Sequence, residues 1–140
     1  MLIQFKKYLL VIAIVFANLI NPVYAGDKDP LFINLSSSEA HRSKMAIGLG
    51  KNNMERGHPL TIFINDQAVL IASKKLTSKY ADHQQMIQQI HQQGGRVYIC
   101  KMCMDQYGMK VEDLVEGVEP SNSMKTSEAL FLDNTKTLSW

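Results

Sequence analysis

The residues best suited to chemistry in this chain are two cysteines three positions apart, in the run Cys100-Lys101-Met102-Cys103-Met104. A Cys-x-x-Cys pair is close enough in sequence to oxidise to a small-ring disulfide. A thiol at the start of a helix, or beside a lysine such as Lys101, also has its thiolate form favoured by positive potential. The pattern therefore indicates thiol chemistry, with Cys100 and Cys103 as the candidate catalytic residues.

Two other interpretations of the same residues stay open. In the first, Cys100 is a small buried hydrophobic residue and Cys103 closes a structural disulfide with it. In the second, the loop binds Cu(I), because thiolate and thioether sulfurs are the ligands that suit this soft metal. The metal ligands would be Cys100, Met102, Cys103 and Met104, with Met109 close in sequence. A four-cysteine zinc site is excluded, since the chain has 2 cysteines.

Other reactive residue types form no recognisable constellation. The four histidines are His41, His58, His83 and His91, and no two of them have the i, i+4 spacing of a helical metal site. We expect them at the surface or at helix caps. The sequence has neither a Gly-rich dinucleotide motif nor a phosphate-binding P-loop. We therefore expect no bound organic cofactor.

The elements that must position the cysteines alternate between strands and helices. Strands are predicted at Leu31–Leu35, Pro59–Ile64, Arg96–Cys100, Val118–Glu119 (stopped by Pro120) and 135–140. Helices are predicted at 37–56, 67–73, 82–93, 111–115 and 123–133. Such alternation predicts an α/β fold, a small three-layer sandwich with a mostly parallel sheet of about five strands. Reactive groups collect at the carboxyl ends of parallel strands, which is where Cys100 lies.

Local signals set the expected helix boundaries. Ser36 and Glu39 have the spacing of a capping box, which predicts the first helix just after Ser36. Ala46 and Leu49 are expected to face inward from this helix. Asp82 is the expected N-cap of the Gln-rich helix over 82–93.

The first 25 residues have the order of a secretory signal. Lys6 and Lys7 precede a 13-residue apolar run from Tyr8 to Ile20, and a small-residue cleavage site ends at Ala25. A membrane-spanning helix needs about 20 apolar residues, so this run is too short to be an anchor. We therefore expect a signal peptide over 1–25, cleavage after Ala25 and delivery to the periplasm.

The mature chain, residues 26–140, is expected to be one domain with no net charge. The whole chain has 15 basic and 13 acidic residues, and the two lysines of the signal account for the difference. With 46% hydrophobic and 20% charged residues, the composition is that of a globular protein. The mature chain has no basic cluster longer than Lys74-Lys75. We therefore expect no nucleic-acid partner and, after signal cleavage, no membrane association.

From Gly95 to Glu119 the sequence resembles the DsrE/DsrF-like family, which includes the TusD sulfur-relay subunits. In the relay members a strand ends in a cysteine and a glycine follows eight residues later, which is the spacing of Cys100 and Gly108. The terminal Thr-Leu-Ser-Trp also resembles the family's last strand. The resemblance extends over the mature chain in element order, and the protein would be a secreted variant.

The resemblance implies persulfide transfer. A cysteine thiolate takes sulfane sulfur from a donor, carries it as Cys-S-SH and passes it to the next thiol. By the resemblance, Cys100 would be the carrier, and Cys103 a resolving thiol, a second carrier or the partner in a disulfide. The family also implies a small α/β sandwich that assembles into a homo-oligomer, a trimer or hexamer, with protein thiols as donor and acceptor partners.

Overall fold

The computed structural model describes residues 26–140, so the expected signal peptide lies outside the described part of the chain. The strands are β1 (Leu31–Leu35), β2 (Leu60–Ile64), β3 (Arg96–Cys100), β4 (Glu119–Ser121) and β5 (Lys136–Ser139). The helices are α1 (Ala40–Glu55), α2 (Thr77–Gln92), α3 (Lys101–Gln106) and α4 (Ser123–Leu130). Three 3-10 turns cover Asp66–Ala72, Lys74–Leu76 and Val111–Asp113. In the described residues, no helix is long and apolar enough to span a bilayer.

The five strands form one sheet in the order β4-β3-β2-β1-β5, and every neighbouring pair is parallel. The chain moves outward from β1 to β4 by crossovers that include α1 and α2. It then returns through α4 to place β5 beside β1. The α/β class and the three-layer, five-stranded architecture expected from the sequence are confirmed.

Alternate residues of each strand face opposite layers of the sandwich, as a period of two requires. On one face, Ile33, Ile62 and Ile99 from the three central strands are fully buried together with Ile47 of α1 and Ile87 of α2. This face carries the larger hydrophobic core.

The opposite face carries a smaller apolar cluster. Phe32 and Tyr98 pack there with Ala129 of α4, and Phe63 and Leu130 are partly buried against them. The α4 layer is therefore thinner than the α1 and α2 layer, and it leaves room beside the end of β3.

The first helix begins at Ala40, three residues later than predicted, because Glu39 caps it directly. The Glu39 carboxylate accepts hydrogen bonds from the backbone N–H of His41 (3.0 Å) and of Arg42 (2.6 Å). The Ser36 hydroxyl instead donates to the carbonyl oxygen of Trp140 at 2.6 Å. The predicted capping box at Ser36 was therefore wrong, because the Ser36 side chain binds the backbone of Trp140, the residue after β5.

We expect Glu39→Gln to make the stability of the protein less dependent on pH. The backbone N–H of Arg42, and then that of His41, hold the pKa of Glu39 below its ordinary value. A lowered folded-state pKa stabilises the fold above the unfolded-state pKa, and that contribution is lost as pH falls through the folded-state value. Urea unfolding should show the variant less stable at pH 7, with the difference shrinking as pH falls below the unfolded-state pKa and through the lower folded-state pKa of Glu39.

The control for this experiment is Glu116→Gln, which changes an exposed carboxylate in the turn before β4. A difference between Glu39→Gln and the unaltered protein that stays constant with pH would contradict the capping role of the charged carboxylate.

The second long helix begins at Thr77, five residues before the expected cap. The non-helical backbone of Tyr80 separates its first turn from the main part of the helix, which starts one residue before Asp82. Asp82 lies inside this helix, and its carboxylate pairs with the ammonium group of Lys44 on α1 at 2.5 Å. Tyr80, which is fully buried, donates its hydroxyl proton to the carbonyl oxygen of Ser38 at 2.9 Å. The start of α2 is thus held by contacts with residues about forty positions earlier, which local sequence signals do not contain.

His83 is buried between α1 and α2, so the expectation that it lies at the surface or at a cap was wrong. Its Nε2 lies 2.8 Å from the carbonyl oxygen of Ala40 and 3.1 Å from the hydroxyl oxygen of Ser43. Ser43 is itself fully buried and donates to the carbonyl oxygen of Glu39 at 2.7 Å. Both contacts are made by Nε2 and join the two helices, whereas Nδ1 of His83 is buried without a hydrogen-bond partner in residues 26–140.

Two other local expectations are corrected. The helix predicted over 111–115 is only the short 3-10 turn, because the Val115 N–H donates to the carbonyl oxygen of Ala72 (2.9 Å) rather than along a helix. The strand that was expected to stop at Pro120 continues to Ser121, with Pro120 aligned to Ile99. A proline is tolerated there because β4 is an edge strand and has one side without a ladder partner.

Candidate functional site

The site is built where β3 ends and α3 begins without an intervening loop. Cys100 is the last residue of β3, and its extended backbone conformation makes it the N-cap of α3. The backbone N–H of Cys103 donates to the Cys100 sulfur at 3.2 Å. The first turn of α3 therefore carries Cys103 back toward Cys100, which is the reason that a spacing of three positions brings the two sulfurs together.

Cys100 and Cys103 form a disulfide bond in this structure. Their Cα atoms are 5.3 Å apart, within the usual range for such a bridge. Of the roles left open for Cys103, the disulfide partner is the one that the structure contains.

The two cysteines face different surroundings. Cys103 packs against the larger core, on the side of α1 and α2. Cys100 lines a cavity of about 340 Å³ on the α4 side of the sheet, together with Phe63, Lys101 and Met102. Both cysteines are half-buried. Of the two cysteines, only Cys100 lines this cavity. A molecule in the cavity therefore reaches the disulfide at Cys100.

The rest of the cavity wall comes from the end of β4 and the first turns of α4. Its residues are Ser121, Asn122, Ser123, Thr126 and Ser127. The Ser121 and Thr126 hydroxyl oxygens are 2.5 Å apart, and the Asn122 side chain caps α4 by accepting from the N–H of Lys125 at 2.8 Å. Sequence reasoning missed this wall. The available signal was a run of hydroxyl and amide residues directly after a strand, at the sheet edge where Cys100 lies.

The methionines near the cysteines do not share one environment. Met102 is 79% exposed, whereas Met104 is 2% exposed and belongs to the larger core, as does Met109. In residues 26–140, no group of three or more His, Cys, Asp or Glu side chains could hold a metal ion. Of the four ligands expected for Cu(I), Met102 and Met104 therefore lie in opposite environments, exposed and buried, and Cys100 and Cys103 are joined in the disulfide.

Tyr107 lies at the same edge of the sheet, but its side chain contacts the segment after β2 rather than the end of β3. Its hydroxyl donates to the Asp66 carboxylate, which follows β2, at 3.4 Å. Burial, and then the negative charge of Asp66, raise the pKa of Tyr107 above its ordinary value. The phenol is consequently protonated at neutral pH and acts here as a hydrogen-bond donor.

The chain is thus a small, all-parallel α/β sandwich with a Cys-x-x-Cys disulfide at the carboxyl edge of its sheet. The chain belongs to the DsrE/DsrF-like family, which it matches over residues 29–133. No curated protein sequence matches it significantly. The family membership agrees with the element order and the Cys100 to Gly108 spacing found in the sequence.

Several solved structures have the same fold at low sequence identity. The ychN protein of Escherichia coli is similar with a TM-score of 0.68 and 18% identity, covering 81% of this chain and 99% of that one. MTH1491 of Methanobacterium thermoautotrophicum has a TM-score of 0.66 and 16% identity, covering 81% and 100%. BT1422 of Bacteroides thetaiotaomicron has a TM-score of 0.58 and 22% identity, covering 86% and 100%. At these identities the similarity establishes the fold.

Proposed function

We propose that this protein is a periplasmic sulfur carrier that holds sulfane sulfur as a persulfide on Cys100. The observation that carries the proposal is the position of Cys100, at a strand end, bonded to Cys103 and lining an open cavity. Membership of the DsrE/DsrF-like family, which is generally associated with sulfur relay, supports the same chemistry. The class is a carrier or weak sulfurtransferase.

Transfer begins from the reduced pair. A dithiol partner opens the disulfide, and its own two thiols become a disulfide in exchange. The Cys100 thiolate then attacks the outer sulfur of a donor persulfide, R-S-SH. The donor's S–S bond breaks, R-SH leaves with the proton, and Cys100 holds the transferred sulfur. An acceptor thiolate attacks that terminal sulfur and regenerates the Cys100 thiolate.

The proposed compartment agrees with the oxidised pair. Disulfides persist in the periplasm and are rare in the cytosol. The signal sequence at 1–25 supports export on independent grounds, from residue order alone. The partners would be protein thiols that reach the cavity side of Cys100.

We also propose a homo-oligomer, a trimer or hexamer, in which the outer face of α4 contacts a second copy. Met124 in α4 is 67% exposed, and Phe131 at the C-cap of α4 is 78% exposed. Their separation of seven residues is about two helical turns, which places them toward the same side of the helix. Leu132 beside them is 50% exposed. Adjacent exposed apolar side chains of this size are typical of protein interaction sites.

We expect Phe131→Asp to shift the protein toward monomer in size-exclusion chromatography with light scattering. A carboxylate would lose its hydration in an apolar interface, which weakens association. The control is Gln85→Asp, which adds the same charge at an exposed position of α2. A native protein that is monomeric at every concentration would contradict the proposed assembly.

Native mass spectrometry tests the proposed function directly. The reduced protein is incubated with a persulfide donor, and a gain of one sulfur atom that maps to Cys100 is the expected result. Stoichiometric uptake of copper from a Cu(I) complex, without sulfur loading, would replace the proposal with the copper-binding function. A disulfide that resists reduction and takes up neither would identify a structural bridge in a non-catalytic assembly protein.

A further inference from the structure

The oxidised Cys100–Cys103 pair presents its two sulfurs unequally to a nucleophile. Disulfides are opened when a nucleophile attacks one sulfur and the other leaves as a thiolate. Cys100 lines the cavity, whereas Cys103 packs against the larger core. A small nucleophile that enters the cavity therefore meets Cys100, and Cys103 is the leaving group.

The cavity wall favours a small anion. The cationic residue Lys101 and the hydroxyl-bearing residues Ser123, Thr126 and Ser127 line it, and none of its described lining residues is acidic. A cationic group at the wall of a cleft raises the local concentration of anions. Its volume of about 340 Å³ is in the range of small-molecule sites.

We propose that the oxidised protein captures hydrosulfide directly at Cys100. The HS⁻ sulfur forms a bond to the Cys100 sulfur, and the Cys100–Cys103 bond breaks. The products are a Cys100 persulfide, which keeps the proton of HS⁻, and a Cys103 thiolate. The disulfide is the oxidant and the sulfide sulfur is oxidised, so the step needs no other redox partner.

We assign hydrosulfide to this site because, unlike a larger thiol or sulfite, it forms the Cys100 persulfide in one step. A larger thiol would leave a mixed disulfide on Cys100, and sulfite would leave an S-sulfonate. Delivery of the captured sulfur to an acceptor rests on the proposed function, but the capture step does not require a persulfide donor. In an oxidising compartment, capture starts from the form of the protein that persists there.

The test uses the oxidised protein with sodium sulfide, followed by alkylation and peptide mapping. We expect an alkylated persulfide at Cys100 and an alkylated thiol at Cys103, in equal amounts. Persulfide found on Cys103 instead, or no persulfide at all, would overturn the proposal.

The route through the cavity is tested by two pairs of proteins. Ser127→Trp places a bulky side chain on the cavity wall and should slow sulfide capture about fivefold or more, whereas Gln85→Trp, at an exposed position of α2, should not. Lys101→Gln should slow capture about threefold at low salt, and the difference should vanish near 1 M salt. Equal rates in the two tryptophan variants would overturn this route.

These experiments distinguish a failure of hydrosulfide capture from a failure of the proposed carrier function. If the reduced protein loads from a persulfide donor but the oxidised protein ignores sulfide, hydrosulfide capture is wrong and the carrier function stands. If only the oxidised protein loads, the capture step stands and the donor-dependent route fails.

Discussion

Cys100→Ser is expected to reduce sulfur loading from a persulfide donor to background, while Cys103→Ser loads normally. Cys100 lines the cavity and receives the sulfur, whereas Cys103 packs against the core. In Cys103→Ser the persulfide should also accumulate, because no neighbouring thiol can attack Cys100 and expel hydrosulfide. Mass spectrometry of both variants after identical exposure to the donor measures the difference.

The two variants control for each other, since each removes the same disulfide. The closed loop is very short, so the loss of the crosslink should cost about 2 kcal/mol in either variant on chain-entropy grounds. A serine at position 100 can still accept the Cys103 N–H, as the sulfur does now, because serine is a favoured N-cap residue. Circular dichroism should therefore show both variants folded, and equal sulfur loading by the two would contradict the assignment of Cys100.

Gly48→Ala should stabilise the protein, and Gly50→Ala, two positions away in the same helix, should be about 1–3 kcal/mol less stable than Gly48→Ala. Both changes gain about 1 kcal/mol of helix propensity. A Cβ atom at position 50 would lie 2.8 Å from Cδ1 of Ile33 and 3.2 Å from both methyl groups of Leu60. Overpacking of this kind costs about 1–3 kcal/mol.

A Cβ atom at position 48 meets only the Met86 sulfur, at an ordinary contact distance of 3.9 Å. Because the propensity gain is shared, the difference between the two variants isolates the packing cost of about 1–3 kcal/mol. Urea unfolding at neutral pH measures it. Equal stabilisation by both substitutions would show that α1 does not approach the sheet as closely as Gly50 indicates.

Gly50 also explains one error of sequence reasoning. Leu49 was expected to face the core, but it is 39% exposed, and Gly50 is buried in its place. A glycine has no side chain to contribute to a hydrophobic pattern, so hydrophobic periodicity cannot predict that it is buried. Here the absence of a side chain is what lets α1 lie close to Ile33 and Leu60.

The strands were more predictable than the helix starts. Leu31–Leu35 and Arg96–Cys100 were predicted with the bounds that the structure has, because each is mostly apolar and is followed directly by a polar residue. The start of α2 was missed, since Leu76 at its N-cap makes no side-chain capping bond. Burial of His83 was missed because its partners, Ala40 and Ser43, are about forty residues away.

The candidate site was predictable only in part. The cysteine pair and its place at a strand end follow from the local sequence. The hydroxyl-lined wall at Ser121 to Ser127 does not, because it reaches Cys100 only through the pairing of β4 with β3. Strand order depends on the whole chain and cannot be predicted from a local segment. The local signal for β4 itself was weak, because Pro120 follows Val118–Glu119 directly.

The buried contacts of His83 with Ala40 and Ser43 bear on how this protein can move. If α2 slid along α1 by one turn, these groups would be left buried without partners, at a cost of about 1–3 kcal/mol each. The pair of helices is therefore expected to behave as a rigid support behind the sheet. Motion that accompanies opening and closing of the sulfur bridge should be confined to α3 and α4, and relaxation-dispersion measurements should find exchange there and a quiet backbone in α1 and α2.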